Sequence, residues 1–486
     1  MSTAVIPERF TAVLAELAPL AERFAAAGHQ LYLVGGAVRD LLLGEPIDGR
    51  DYDLATDARP AEVKACLDGW AHSVWEQGER FGTIGAKRRA ADGPERTFEI
   101  TTFRSEVYVD DSRKPRVTFS DRIEDDLGRR DFTINAIALA VPGGAGSAAA
   151  PVLVDPFGGA ADLARRVLRT PLTPQISFGE DPLRMLRAAR FIARFGLQPD
   201  AALVDAVAAS AERLEIVSAE RIRDELDKLI VVDGPSAGLW FCVDTGLAEH
   251  CLPELPALRL EHDPIHRHKD VLSHTIAVVE NVRPPALDND GKAAYDLRIT
   301  RLAALFHDVG KPRTRGYQPG KGTTFHHHDA VGARMTRRRM EALRYSVADI
   351  AAVTALVALH LRVHTYKMGW TDSAVRRYVR DAGAQLAELN VLTRCDCTTR
   401  DARKAATLAK RMDDLEARIT ELAAAEELAA LRPELDGNDV MEVLGVGPGR
   451  IVGEALAFLL EIRLDEGLIG RDAAADRLRA WHASRT

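Results

Sequence analysis

Short apolar runs broken by Gly, Pro and Asp clusters fill the first third of the chain, whereas beyond Leu163 apolar residues recur three and four apart. Runs of four to eight read as strands, and the three-four spacing reads as helix faces. Strands are predicted at Leu31–Val34, Tyr52–Ala55, Thr83–Lys87, Thr97–Arg104 and Ile137–Val141, behind an amphipathic helix over Pro7–Ala27. Helices are predicted through Asp181–Phe195, Ala201–Ala211 and Ala219–Ile230. A Gly- and Ala-rich stretch at Pro142–Pro151 reads as a loop, and Pro253, Pro256 and Pro264 mark a linker. The fold class is therefore α+β, with an α/β head over residues 1–162, a helical neck over 163–260, a histidine-rich helical domain over 261–400 and a helical tail over 401–486.

The first strand runs into Gly35 and Gly36 and then a helix carrying Arg39. Such a turn lets the backbone approach an anion, and the helix start offers free N–H groups to it. If Asp51–Leu54 is a strand, Asp51 and Asp53 share a face, because strand side chains alternate. Two adjacent carboxylates repel unless a cation lies between them, and hard oxygen ligands suit Mg²⁺, which keeps its other sites for water and phosphates. A bound triphosphate fits.

In EDPLRMLRAAR, helical spacing puts Asp181 and Arg184 one turn apart, with Arg187 and Arg190 on the same broad face. A carboxylate only accepts hydrogen bonds and a guanidinium only donates. Cytosine and adenine each present an amino donor beside a ring-nitrogen acceptor, so this pair suits both. Guanine and uracil reverse the order and leave desolvated groups unpaired, at about 1–3 kcal/mol each.

These segments, together with RRDFTINA at Arg129–Ala136, resemble motifs A, B and D of the polymerase β-like nucleotidyltransferases. The chain is most similar to the class II, bacterial-type tRNA nucleotidyltransferase and poly(A) polymerase family. GERFGTIG at Gly78–Gly85, SAERIRDEL at Ser218–Leu226 (motif E) and DGNDVMEVLGVGPGRIVGEAL at Asp436–Leu456 extend the resemblance over nearly the whole chain. It implies a polymerase β-like head with a mixed sheet, Asp51 and Asp53 as catalytic Mg²⁺ ligands, and Gly36, Arg39 and Arg130 as triphosphate contacts. Asp131 and Asn135 then lie near the ribose, Asp181 and Arg184 read the base, and Arg187 and Arg190 are further nucleotide contacts. Glu99 is either a third carboxylate or a plain surface strand residue. The implied reaction is template-independent addition of CCA to tRNA from CTP and ATP. The alternatives are A-tailing of RNA 3′ ends, or an HD phosphohydrolase as the main activity.

His274, His307–Asp308 in HDVGKP, His326–His328, His360 and Asp396 follow the order of an HD-type metal-dependent phosphohydrolase. His274, His307, Asp308 and Asp396 are the ligands taken, Asp396 ahead of Asp329; mixed nitrogen and oxygen donors suit Mn²⁺, Ni²⁺, Fe²⁺ or Zn²⁺. In related enzymes such a domain is a phosphatase or 2′,3′-cyclic phosphodiesterase; here it is either active or a scaffold. A net charge of −8 over 486 residues argues against a nucleic-acid coat protein while leaving room for a local basic groove. Five scattered cysteines without a CxxC pair suggest neither a disulfide framework nor a zinc ribbon and fit a reducing cytoplasm. No stretch reaches membrane-spanning length, and the N-terminus lacks a basic segment followed by an apolar run.

Overall fold

The computed structural model describes residues 8–45, 51–89, 95–107, 116–143, 152–260, 270–319, 322–365, 370–398, 401–426 and 432–485. Pro7, Pro264 and most of the Pro142–Pro151 loop therefore lie outside the described residues. The chain folds as two compact units, Met1–Glu225 with Ala237–Cys251 and Leu226–Ser236 with Leu252–Thr486.

The first unit is built on a seven-stranded sheet. Its strands are β1 (Leu31–Val34), β2 (Tyr52–Thr56), β3 (Ser73–Gly78), β4 (Thr83–Arg89) and β5 (Glu95–Thr102). After a separate hairpin of β6 (Arg104–Val107) and β7 (Arg116–Phe119), β8 (Ala138–Ala140) and β9 (Leu153–Val154) complete it. The order is β3-β4-β5-β2-β1-β8-β9; β2 and β5 are parallel and the other neighbours antiparallel, so the sheet is mixed. Helix Glu8–Ala26 presents Leu17, Leu20 and Phe24 to Leu33, Leu54, Ile84, Ile100 and Leu139, all buried in one core. Each such side chain contributes about 1.5–3 kcal/mol on burial, so this layer fixes which face of β2 turns inward. Tyr52 and Leu54 point into this core, and Asp51 and Asp53 point away from it.

Some elements differ from the pattern reading. The strand expected over Thr97–Arg104 ends at Thr102, and Arg104 starts β6 in the second small sheet. The apolar pattern does not predict strand β3, which as an exposed edge strand lacks apolar alternation. The helix expected from Asp181 begins at Leu183, since Asp181, which precedes Pro182, is extended (φ −139°, ψ 98°), as residues before proline prefer. Beyond Leu163 the strand signal vanishes less completely than predicted: Arg315–Gln318 and Gly322–Phe325 form an antiparallel hairpin.

In the second unit, helix Leu297–Phe306 packs against Val271–Asn281, Val347–Leu359 and Leu386–Asp396. Near the C-terminus, Gly437–Leu444, Arg450–Glu466 and Arg471–Ala483 enclose a small core of Leu435, Val440, Leu459 and Leu478. No described helix is long and apolar enough to cross a membrane.

Candidate functional site

Strand β2 is interior to the sheet, and its parallel pairing sets Asp53 opposite Glu99. Burial raises the Glu99 carboxyl above its usual range, and Asp53 and Asp51 push it further. Asp53 is raised by burial and by Asp51, against the opposite pull of Arg130. Asp51, Asp53 and Glu99 are all hard oxygen donors, and with Asp53 and Glu99 both raised the group fits a divalent cation such as Mg²⁺. Between the two readings of Glu99, the register favours the third carboxylate.

Gly35 has φ +71° and ψ −136°, and a Cβ there would stand 2.9 Å from Arg130 Nη1 and 3.7 Å from Asp53 Oδ2. Only glycine lets the guanidinium settle onto this turn beside the carboxylate. Arg130 Nη2 donates to the fully buried Asp126 (3.1 Å), while its buried Nε finds no partner among the described residues. A desolvated N–H beside the start of helix Gly36–Leu43 is suited to a phosphate oxygen.

Arg39, expected at the phosphates, is enclosed instead. It is 5% exposed, lies 4.5 Å from the Phe195 ring, and donates from Nε to Asp40 and from Nη1 to Asn135 (2.6 Å). Burial, and then Arg194, lowers it to about 10. Asn135 passes the chain on to Asp131 (2.9 Å), and Asp131 accepts twice from Arg187, at 2.8 and 2.5 Å. Burial alone would raise Asp131, but Arg187, Asn135 and Arg184 outweigh it and hold it at about 2. Arg190, also expected at the nucleotide, is 9% exposed and donates to Glu225 (2.8 Å). Arg187 and Arg39 thus tie the motif B turn to the neck helix Leu183–Phe195, and Arg190 ties that helix to Ala219–Ile230. Their periodicity in sequence could not reveal this, because it gives a face and not a partner.

Arg184 is 8% exposed. Its Nη1 donates to the Ser177 hydroxyl and carbonyl and to Glu180, and its Nη2 to the carbonyl of Arg129 (2.6 Å). Asp181 stands ahead of the helix and not on it, accepting from Leu183 N (3.2 Å) through Oδ1 and from Arg221 Nη2 (2.8 Å) through Oδ2. Sequence reasoning named neither Arg221 nor Glu225 as a partner of these groups. The signal available was the motif E pattern, which places both on one helix.

In the second unit six side chains meet. His274, His307 and Asp396 form one group and Asp308, His328 and His360 another, with ligand atoms in each within 4.8 Å of one another. Asp308 links them: Oδ2 lies 3.2 Å from His307 Nε2 and Oδ1 lies 3.4 Å from His328 Nε2. His307, His328 and His360 each direct Nδ1 to a backbone carbonyl at 2.7 Å, so in these three Nε2 is left facing inward. His328 and His360 then bring two Nε2 atoms to 3.3 Å, an arrangement that a shared proton or cation satisfies. His274 Nδ1 meets the Thr398 hydroxyl at 2.8 Å, and its Nε2 lies 3.0 Å from Asp396. Although burial lowers His307, Asp308 and Asp396 bring it up to about 9; burial and His307 lower His360 to about 4. The four expected ligands are together, and His328 and His360, noted in the sequence only by order, join them. Asp396, not Asp329, closes the cluster.

A family model described as the poly(A) polymerase head domain matches residues 31–169, one described as an RNA- and SrmB-binding site of polymerase A matches 196–258, and an HD domain matches 271–425. An A-adding tRNA nucleotidyltransferase of Deinococcus radiodurans is 34% identical over 440 residues, covering 89% of this chain and 91% of that one. A CCA-adding enzyme of Lactobacillus gasseri is 37% identical over 53% of this chain, and the match spans 58% of that relative's length. Among solved structures, the Bacillus stearothermophilus CCA-adding enzyme in complex with CTP shares the fold along 99% of both chains, with TM-score 0.66 at 24% identity. The Thermotoga maritima CCA-adding enzyme complexed with tRNA does so along 99% of this chain and 97% of that one, with TM-score 0.59 at 19%.

Proposed function

Because this chain belongs to the tRNA nucleotidyltransferase and poly(A) polymerase family, we propose that it adds CCA to the 3′ end of tRNA, using CTP and ATP without a nucleic-acid template and releasing pyrophosphate. One observation carries the reading: Arg184 hydrogen-bonds the carbonyl of Arg129, and the adjacent Arg130 lies over Gly35 beside Asp53. The base-reading segment is thereby tied to the carboxylates.

The family's chemistry depends on divalent metal, and Mg²⁺ is the ion this carboxylate set fits. Asp51, Asp53 and Glu99 would hold it, and when bound it stabilises charge at the attacking hydroxyl and the leaving pyrophosphate. Arg130, with its unpaired Nε, and the N–H groups at Gly36 hold triphosphate oxygens. Asp181 accepts from the base amino group while Arg184, anchored by Ser177, Glu180 and Arg129, faces the ring nitrogen. Arg39, Asn135, Asp131 and Arg187 act from behind as positioning residues. The partners of this reading are tRNA, CTP and ATP, and a tRNA substrate supports a cytoplasmic setting.

The relative matched almost end to end is named for A addition, which favours a second reading in which only the terminal A is added. For the second unit, the six-residue cluster favours a phosphohydrolase acting at RNA ends with Mn²⁺, Ni²⁺, Fe²⁺ or Zn²⁺. The deciding assay offers tRNA lacking CCA, and tRNA ending in CC, each with one labelled NTP. CTP label entering the first and ATP label the second supports CCA addition. ATP alone, entering only the second, establishes the A-adding reading, and repeated ATP entry establishes tailing.

A further inference from the structure

Between metal-ligating Asp308 and His328 the chain makes the hairpin Arg315–Gln318 with Gly322–Phe325. Its root touches the cluster: Phe325 O accepts from His328 Nδ1 (2.7 Å), and the Phe325 ring lies 5.7 Å from Lys311 Nζ, which donates to Asp308 (2.6 Å). Arg315 is registered opposite Phe325 and Tyr317 opposite Thr323. Opposed residues of an antiparallel pair share a face, and so do residues two apart on one strand. Arg315 and Tyr317 therefore stand on the same face as Phe325, with Tyr317 about 7 Å further out than Arg315.

Tyr317 is 66% exposed, and its strand is exposed throughout. Arg313 and Arg315 are exposed too, and their side chains have no ion pair or hydrogen bond among the described residues. An uncovered aromatic ring beside unpaired cations is poor surface for a core and good surface for single-stranded nucleic acid, where bases stack and phosphates pair. We propose that this hairpin is the RNA-binding surface of the second unit's metal cluster. Tyr317 stacks a base near the RNA 3′ end, Arg313 and Arg315 hold backbone phosphates, and Lys311 meets the terminal phosphate beside Asp308. The inference rests on the phosphohydrolase reading and names its substrate as a single-stranded RNA end and not a small phosphate ester.

The test uses the full-length protein loaded with Mn²⁺ and a short oligoribonucleotide ending in a 2′,3′-cyclic phosphate, with 4-thiouridine next to the end. Photocrosslinking followed by peptide mapping is expected to mark the Arg313–Gln318 segment, and Arg313→Gln with Arg315→Gln to remove the mark. Hydrolysis of the oligonucleotide by Tyr317→Ala should show KM raised about 5- to 100-fold. Turnover of bis(p-nitrophenyl) phosphate and bound Mn²⁺ should be unchanged, and Tyr317→Trp should restore the KM. Crosslinks that map only elsewhere, or a Tyr317→Ala change that alters both substrates alike, overturn the surface. A retained crosslink without any hydrolysis instead sinks the phosphohydrolase reading and leaves the surface in place.

Discussion

Charge arithmetic at single residues decides what each group can do. Asp53 and Glu99 are held above the ordinary carboxylate range, whereas Asp131 is held down at about 2 and is saturated by Asn135 and Arg187. The first two are poised for a cation and the third for structure. Asp53→Asn should abolish nucleotide addition while leaving the thermal midpoint within a few degrees, since a carboxylate held above its ordinary range adds nothing to the fold. A substitution that instead unfolds the protein would contradict the assignment. Asp131→Asn should destabilise, because its depressed pKa contributes about 2 kcal/mol above the unfolded-state value of about 3.9. That contribution is lost as pH falls from near 4 towards 2, so urea midpoints of wild type and variant should converge in acid and differ most near neutrality. At Asp181 and Arg184 the readout is selectivity: either alanine variant should let GTP or UTP label enter tRNA, and unchanged base choice with only a slower rate would remove the template role.

At the scale of elements, close approach at a glycine sets the geometry of both sites. The Gly of HDVGKP, Gly310, sits against the start of helix His328–Ala342, where a Cβ would run into the carbonyl of His328. That contact lets Asp308 and His328 belong to one cluster. Gly310→Ala must push the helix away or strain it, a cost of about 1–3 kcal/mol. Metal retained after dialysis, measured by elemental analysis, should fall while far-ultraviolet circular dichroism is kept; full retention would show that the approach is not needed. In the first unit the equivalent is Gly35, where any side chain meets Arg130. Gly35→Ala is expected to raise KM for CTP and ATP at least tenfold while the fold survives, because the strain falls on the turn and not on the core.

On the scale of the whole molecule, each unit carries its own constellation of ligands, so their activities should separate. Asp308→Ala should lose bound transition metal and any phosphoesterase activity yet retain nucleotide addition to tRNA; loss of both would mean that the second unit's metal supports the first. Much of this was legible in the chain itself. The strand-turn-helix with Gly35, Gly36, Asp51 and Asp53, the helices from Ala201 and Ala219, and the order of histidines all follow from local rules of period, turn and ligand chemistry, which act over a few residues. The positions taken by Arg39, Arg190 and Asp181 did not follow. Whether an arginine meets a phosphate or a buried carboxylate depends on partners such as Asn135, Glu225 and Arg221, drawn in from 96, 35 and 40 residues away. Glu99 joined Asp53 through strand pairing, and His328 and His360 joined Asp308 through helix packing. Sequence thus determined which chemistries the protein carries, because side-chain type and spacing are local. Tertiary structure alone decided which charges face solvent and which neutralise one another, because desolvation and pairing depend on what the folded chain brings alongside.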